Sequence, residues 1–429
     1  MPRATPPGDM QVEVLHLSSV VKRPLVDPAG DRLGRVQDLI VRVGETPHPP
    51  IVGLVVNIGG RDLFVPIQKI ATLGAGLVRF AGERVDLRRF ERRPGELLLA
   101  QDLMARHLIN FVGGRLIRAN EIELAKIDGT WEVVGVDPGR RSALRRLLPG
   151  HFGERVSTGR MIDWASIEPF VAHVPSARLR IPYRKLARLH PAQIADLVEA
   201  ASHEEGEEII EAVGEDRELE ADVFEELDTE HQVEFLRARS DEDAARLLES
   251  MAPDDAADLI TEIDQDRRLP ILNLMPQPQQ ARLHTLLSYN PETAGGLMSP
   301  DFLSLAETTP VEGALDAIRQ STAPRESLNV VFAVDGEGAL VGSVSTVRLL
   351  QAEQAAVLGD LAEADPIHVH PDWDVATTAR KMSDFNLTVV PVMDDDHHEI
   401  LGVVTVDDML ELLLPTGWRR EFGMTTVEE

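Results

Sequence analysis

The stretch Ala252-Pro-Asp-Asp-Ala-Ala-Asp-Leu259 decides the fold of the middle of the chain, because it is one copy of a unit that repeats every 12 residues. Most copies open on Asp or Ser, which are good N-caps, and the acids of the next turn suit the helix dipole. Apolar residues at the sixth, eighth and ninth places share one helical face. The copies start, with two extra residues before the third, at His190, Ser202, Asp216, Asp228, Ser240, Ala252, Asp264 and Pro276. Each copy predicts one short helix, and the helices should stack into a superhelix because none can bury its face alone.

On the N-terminal side the sequence has short apolar strands separated by turns, which is typical of a small β-barrel. The pattern returns 83 residues later without a gap, so we expect two copies of one unit. Gly30 and Gly113 occupy equivalent places, in turns that need a permissive backbone. The first set of matching residues is Arg23, Leu25, Val26, Asp27, Gly30, Arg32, Leu33, Arg35, Asp38 and Leu39, and the second is Arg106, Leu108, Ile109, Asn110, Gly113, Arg115, Leu116, Arg118, Glu121 and Ile122.

These two units resemble PRC-barrel domains over about residues 14–172. The resemblance rests on the strand–Asp-x-x-Gly–strand opening and on a late hydrophobic element, Val65–Ile70 in the first unit and Ile162–Ile167 in the second. Asn110 and Asp163 replace the family's Asp and Pro in the second unit. The resemblance implies two β-barrels, at residues 14–93 and 94–175, after a flexible tail at residues 1–13.

From Asn290 onwards the pattern becomes strand–helix–strand–strand–helix, and it occurs twice, which predicts one compact α/β module. The second copy contains Gly402-Val-Val-Thr-Val-Asp-Asp408, which resembles the signature of a CBS domain. In that family the Thr and Asp hold the ribose and phosphates of an adenine nucleotide such as ATP. Carried over, the candidates are Thr405 and Asp408, with Pro391 shaping the cleft. The alternative is that both CBS units are packing modules without a ligand, since the first copy has Ser345 but Arg348 in place of the carboxylate.

The order of helical repeat and CBS pair resembles the cytoplasmic part of MgtE-type magnesium transporters. The resemblance covers about residues 185–415 and rests on the 12-residue repeat, the junction Ala294-Gly-Gly-Leu-Met298, and Leu387-Thr-Val-Val-Pro-Val392. It implies a multidomain α+β protein with a helical domain at residues 176–290, CBS units at 291–356 and 357–416, and a tail at 417–429.

In that family the helical domain and the CBS pair close on one another when Mg²⁺ bridges their carboxylates. The matching positions are Asp254, Asp255 and Asp258 on the helical side and Asp408 on the CBS side. Mg²⁺ favours oxygen ligands and keeps several waters, so sparse carboxylates on two surfaces suffice. The alternative is that these acids only cap helices and lie on their solvent-exposed faces.

Charge and composition exclude several classes of protein. The net charge is −29, and it divides into +6 for residues 1–180 and −35 for residues 181–429. The acidic part repels nucleic acid and anionic lipid. The sequence has no cysteine, so it has neither disulfides nor a thiolate nucleophile. We find no signal peptide, no apolar stretch long enough to span a membrane and no catalytic motif, and we expect a cytoplasmic protein that is not an enzyme.

The leading hypothesis is a soluble regulator that senses Mg²⁺. The closing of its helical domain on its CBS pair would be transmitted to an unidentified protein partner, for example a membrane transporter. CBS pairs of the family commonly dimerise, so we expect a homodimer. One alternative is an adaptor that binds RNA or the ribosome through its PRC half, where Arg140, Arg141, Arg145 and Arg146 form a basic cluster. The other alternative is a scaffold that has lost its ligands.

Overall fold

The computed structural model describes residues 13–42, 46–82, 89–93, 95–139, 161–170, 181–364, 367–394 and 399–413. The two predicted tails, apart from Glu13, and the basic cluster from Arg140 to Arg146 lie outside this part. The chain divides into two compact units, residues 1–219 and 220–429. Within the described residues, no helix combines the length and the apolar character needed to cross a bilayer.

The first unit is rich in β-structure, because apolar and polar residues alternate between Gly and Asn/Asp turns. One sheet has the order β5-β4-β3-β2-β7-β6 with β8 on β3, a second has the order β1-β11-β12-β13, and a third has the order β10-β9-β14. The strands are β1 (Glu13–His16), β2 (Pro24–Val26), β3 (Arg32–Arg42), β4 (Ile51–Ile58), β5 (Arg61–Pro66), β6 (Ile70–Leu73), β7 (Val78–Phe80), β8 (Glu96–Leu98), β9 (His107–Asn110), β10 (Arg115–Arg118), β11 (Glu121–Ile127), β12 (Thr130–Asp137), β13 (Ile162–Asp163) and β14 (Ile167–Pro169).

The opening turn of each β-repeat is held by one polar side chain. Asp27 Oδ1 accepts the N–H of Asp31 at 2.8 Å, while Asn110 Oδ1 accepts the N–H groups of Val112 and Gly113. Gly30 has a positive φ of 99°, as expected. Gly113 lies in the second turn, where a Cβ would come within 2.9 Å of Asn110 Nδ2, but the positive φ of this turn belongs to Gly114. The side chain of Asn110 thus holds the second turn as Asp27 holds the first, and the positive φ lies one residue later than in the first repeat.

Helices of the first unit pack against its second β-repeat. They are α1 (Leu17–Val20), α2 (Tyr183–Leu186), α3 (Pro191–Ala200) and α4 (His203–Val213), and α5 (Arg217–Glu225) begins at the end of the unit. Lys185 forms an ion pair with Glu168, and His107 Nδ1 lies 3.4 Å from the buried carboxylate of Glu205. Glu205 also accepts the N–H of Ser202 at 2.8 Å and so completes the capping box of α4.

The second unit continues with α6 (Thr229–Arg237), α7 (Asp241–Ser250), α8 (Pro253–Glu262), α9 (Gln265–Leu274) and α10 (Gln277–Leu286). Their N-caps are Asp228, Ser240, Ala252, Asp264 and Pro276, so the predicted period of the helices is confirmed in this region. The apolar places are buried, as expected, except that Val233 is half-buried and Leu269 is 64% exposed. Pro270 stands inside α9 beside it. The stacking of all the helices into one superhelix stays a prediction.

The remainder of the second unit is the predicted α/β module. Its elements are β15 (Ser304–Ala306), α11 (Val311–Gln320), β16 (Val330–Val334), β17 (Leu340–Ser345), α12 (Thr346–Gln351), α13 (Leu358–Leu361), β18 (Glu363–Ala364), α14 (Val375–Phe385), β19 (Val389–Met393), β20 (Ile400–Thr405) and α15 (Val406–Leu413). The strands form the sheets β15-β16-β17-β18 and β19-β20. Phe332 of the first copy packs with Val389 and Val403 of the second, so the two copies share a core.

Candidate functional site

Two helix starts of the second unit carry the predicted acidic residues. Helix α8 begins at Pro253, whose missing N–H costs nothing at this position, and Asp254 and Asp255 follow in its first turn. Helix α15 begins directly after β20, with Asp407 and Asp408 in its first turn. Carboxylates are favourable in both places because the positive end of the helix dipole lies there.

Thr405 and Asp408 cap the start of α15 reciprocally. The N–H of Thr405 donates to Asp408 Oδ2 at 2.9 Å, and the N–H of Asp408 donates to Thr405 Oγ1 at 3.3 Å. This is the capping-box geometry, which satisfies two backbone donors at once. Burial raises the pKa of Asp408, while hydrogen bonds to its carboxyl from the backbone N–H and the hydroxyl of Thr405 oppose the rise. The predicted pair therefore exists, and it holds the strand–helix corner in place.

Asp254 is the most perturbed acid of the site. Burial raises its pKa to about 7, and the negative charge of Asp408 adds to the rise, with Glu225 and Asp258 contributing less. Its Oδ1 atom is buried and has no hydrogen-bond partner among the described residues. The N-cap, Ala252, has no side chain that could bind the helix start, and the carboxyl of Asp254 accepts its own backbone N–H in the first turn, which opposes the rise in its pKa. Binding at the helix start therefore leaves Oδ1 of this carboxylate unexplained, and the charge of Asp408 is near enough to raise its pKa.

Asp255 and Asp258 are placed differently. Asp255 is half-buried in the same turn as Asp254. Asp258, one turn later, is exposed as a whole residue. Partial burial of its carboxyl still raises its pKa to about 6, and the charge of Glu262 adds to the rise. Its charged neighbour is therefore on its own helix. The charge of Asp408 contributes to the raised pKa of Asp254 and is not among the causes of the rise at Asp258.

The donor set around Asp254 fits a hard divalent cation that keeps most of its water. The described residues include no group of three or more His, Cys, Asp or Glu side chains arranged to hold a metal ion. Mg²⁺ is usually bound through only one or two carboxylates plus waters, so the Asp254–Asp408 pair is a sufficient protein contribution. The buried, unpartnered Oδ1 of Asp254 is the feature that a cation would satisfy.

The predicted nucleotide cleft is bordered by β19 and β20. Pro391 is buried opposite Val403, and its carbonyl accepts the N–H of Val369 at 3.0 Å. In the first copy Ser345 caps α12 through the N–H of Arg348, whose side chain lies 3.7 Å from Glu363. Arg348 thus forms an ion pair at the position where the second copy has the carboxylate of Asp408.

Sequence reasoning missed Ser327. Its hydroxyl is completely buried and has no hydrogen-bond partner among the described residues. It belongs to the 3₁₀ turn Ser327–Asn329, which packs against β20, the strand that ends at Thr405. Periodicity could not have indicated this hydroxyl, because it lies in a turn before a strand. The only signal in the sequence is a small polar residue between a Pro and a run of apolar residues.

Comparisons with known proteins agree with this architecture. Residues 189–292 match the MgtE intracellular N domain, and residues 294–355 and 358–415 match the CBS domain. The magnesium transporter MgtE of Thermus thermophilus is 31% identical over 141 residues, which are 33% of this chain and 31% of that protein. The magnesium transporter MgtE of Enterococcus faecalis is 31% identical over 135 residues, covering 32% and 30%.

A solved structure, the cytosolic domain of the Mg²⁺ channel MgtE in complex with ATP, has 27% identity and a TM-score of 0.51 and covers 54% of this chain and 93% of that one. The chain therefore contains an MgtE intracellular N domain and a CBS pair, homologous to the cytoplasmic domains of MgtE. It spans about a third of the length of the two transporters.

Proposed function

We propose that the N domain and the CBS pair form a Mg²⁺-responsive regulatory module that is held closed by a cation between Asp254 and Asp408. The proposal rests above all on the buried, unpartnered oxygen of Asp254, whose pKa is raised by burial and by the charge of Asp408. Two partly buried carboxylates repel one another unless one is protonated or a cation lies between them. At neutral pH a divalent cation relieves this repulsion, and its removal should move the starts of α8 and α15 apart.

The cleft beside Thr405 is the proposed site for an adenine nucleotide, with Asp408 and Pro391 as further lining residues. A carboxylate accepts hydrogen bonds from ribose hydroxyls, while a threonine hydroxyl donates to phosphate. The similarity to a channel domain in complex with ATP supports this choice of ligand. Because Thr405 and Asp408 already bind each other, the nucleotide would have to bind the free lone pairs of these groups or replace the contacts.

The proposed setting is that of a cytoplasmic, non-catalytic regulator acting on a protein partner, with a membrane Mg²⁺ transporter as the leading candidate. We propose a homodimer through the CBS pair, because Val347 and Leu350 on α12 and Leu410 and Leu413 on α15 are exposed apolar side chains.

We also propose that the β-rich region consists of two PRC barrels, with the boundaries given above. The RNA-adaptor and scaffold hypotheses stay as alternatives.

Thermal melting and limited proteolysis of the full chain test the proposal. Measurements in EDTA, Mg²⁺ and Ca²⁺ should be made on the wild type, on Asp254→Asn and on Asp408→Asn. Asp266→Asn is the matched control, since Asp266 is an exposed acid in the first turn of α9. We expect millimolar Mg²⁺ to raise Tm and to slow cleavage near residues 289–300 in the wild type and the control. A Mg²⁺ effect that persists in both site variants, or that is missing from the wild type, would overturn the proposal.

A further inference from the structure

The two β-repeats exchange their leading strands. Strand β1, which opens the first repeat, pairs antiparallel with β11 of the second repeat through Glu13 opposite Lys126 and Leu15 opposite Leu124. Strand β8 occupies the equivalent place, 83 residues later, and pairs antiparallel with β3 of the first repeat. Each leading strand thus pairs with the long strand of the other copy, which is β11 for β1 and β3 for β8.

The segment that follows each leading strand is also equivalent in the two repeats. It is the helical turn Leu17–Val20 in the first and the π-helical turn Leu99–Leu103 in the second. Each turn ends near a non-glycine residue with positive φ, Lys22 at 66° and Ala105 at 65°. The N–H of Lys22 donates to Val36 O at 2.8 Å, and the N–H of Ala105 donates to Ala119 O at 2.7 Å. An unusual backbone conformation is therefore repeated with its hydrogen bond.

One buried carboxylate in each repeat binds the turn donated by the other. Asp38 of β3 accepts the N–H groups of Ala100 and Gln101 at 2.7 and 2.8 Å. Glu121 of β11, 83 residues after Asp38, accepts the N–H of Ser18 at 3.1 Å and also binds its hydroxyl. Each carboxylate additionally accepts the N–H of its own next residue. Such charge-assisted bonds to part-buried backbone donors are strong and costly to lose.

We infer that the two β-repeats are a strand-exchanged pair that folds and opens as one unit, in which each repeat is the docking partner for the leading segment of the other. The hydrophobic core agrees, because one cluster contains Leu15 and Leu17, Leu97 and Leu99, and the buried side chains of both long strands. Without its partner each repeat would lose a strand and leave a buried carboxylate without its donors. A pair of independent barrels joined by a linker would show neither crossing.

Hydrogen exchange of the full-length protein, read by mass spectrometry, tests this inference through crossed effects. Asp38→Ala should increase exchange at residues 96–103 by roughly tenfold or more, because the substitution removes the acceptor of two part-buried backbone donors there. Glu121→Ala should do the same at residues 13–20. Asp62→Ala is the matched control, since Asp62 binds Asn57 within the first repeat at an exposed position. We expect its effect to stay within β4 and β5.

Two further variants keep the test decisive if an alanine variant does not fold. Ser18→Ala removes only the hydroxyl that binds Glu121, and Glu121→Gln keeps the size of the side chain. Both should speed exchange at residues 13–20 and, to a smaller extent, in both repeats together. Exchange that rises only in the repeat carrying the substitution, with the other repeat as protected as in the wild type, would overturn the inference.

Discussion

Burial and, after it, the charge of Asp408 raise the pKa of Asp254 to about 7, although 154 positions of sequence separate the two residues. Asp254 lies in the first turn of α8 and Asp408 in the first turn of α15. Their electrostatic interaction therefore links the helical domain to the second CBS copy. At the proposed site, a carboxyl with such a pKa binds protons and cations in the same range of pH, so the two compete. Measurements with and without a divalent cation separate the two responses.

Substitution of Asp254 by Asn should change how stability depends on pH. The folded-state pKa of about 7 lies above the unfolded value, so the folded state holds an extra proton between them. The stability that this proton confers is complete below about pH 4 and is lost as pH rises through 7. In metal-free buffer at pH 8 we expect Asp254→Asn to be more stable than the wild type by about 1–3 kcal/mol. Urea unfolding between pH 5 and 8 measures the difference, which should shrink at the acidic end.

The affinity for Mg²⁺ should itself depend on pH. A cation at Asp254 must displace the proton, so below pH 7 the apparent affinity should fall by up to about tenfold per pH unit. Calorimetric titration at pH 5.5, 6.5, 7.5 and 8.5 gives the apparent Kd and, with buffers of different ionisation enthalpy, the number of protons released. A Kd that is constant over this range would place the cation away from Asp254.

Thr405 allows the capping role and the proposed nucleotide role to be separated. Thr405→Ser keeps the hydroxyl that accepts the N–H of Asp408 and should retain most of the stability and any ATP binding. Thr405→Val keeps the shape but removes the hydroxyl, and we expect a loss of about 1 kcal/mol. ATP titration of both variants completes the comparison. If Thr405→Val binds ATP as well as Thr405→Ser does, the hydroxyl does not contact the nucleotide.

Asp38 should give the β-rich region a pH dependence of its own. Burial raises its pKa to about 6 in spite of three N–H donors, so its contribution to stability is present at pH 4 and is lost as pH rises through 6. Between pH 4 and pH 8 the wild type should therefore lose about 3 kcal/mol more than Asp38→Asn. Fluorescence of the buried Trp131 and Trp164, in a Trp373→Phe and Trp418→Phe background, follows this region. Parallel curves for the two proteins would contradict the prediction.

Local patterns in the sequence predicted the secondary structure well, and long-range pairing poorly. The 12-residue spacing located the N-caps from Asp228 to Pro276, because capping and burial are decided within each short helix. The 83-residue repeat revealed two copies of one β-unit, but periodicity is the same whether a leading strand pairs with its own copy or with the other. The exchange became visible only from the register of β1 and β8.

In the candidate site, too, local features were predicted better than long-range ones. Thr405 and Asp408 follow from a motif of neighbouring residues, and their mutual hydrogen bonds are local. The proximity of Asp254 to Asp408 was expected only from a family resemblance, because no spacing in one sequence places two helix starts together. Sequence reasoning also treated Asp254, Asp255 and Asp258 as equivalent, whereas burial of an unpartnered oxygen distinguishes Asp254. Leu269 was expected in the core and is exposed, beside Pro270 in α9.

The crossed strands have a consequence for the chain during its synthesis. The partner of Ser18 is Glu121, 103 residues further on, so the first strand has nothing to pair with when it leaves the ribosome. At about 5–20 residues per second this delay lasts roughly 5–20 s. For that time β1 remains an unpaired strand, and the first repeat remains incomplete and dependent on the continued growth of the polypeptide. Pairing of β1 is therefore a late event, which can begin only after β11 has been translated.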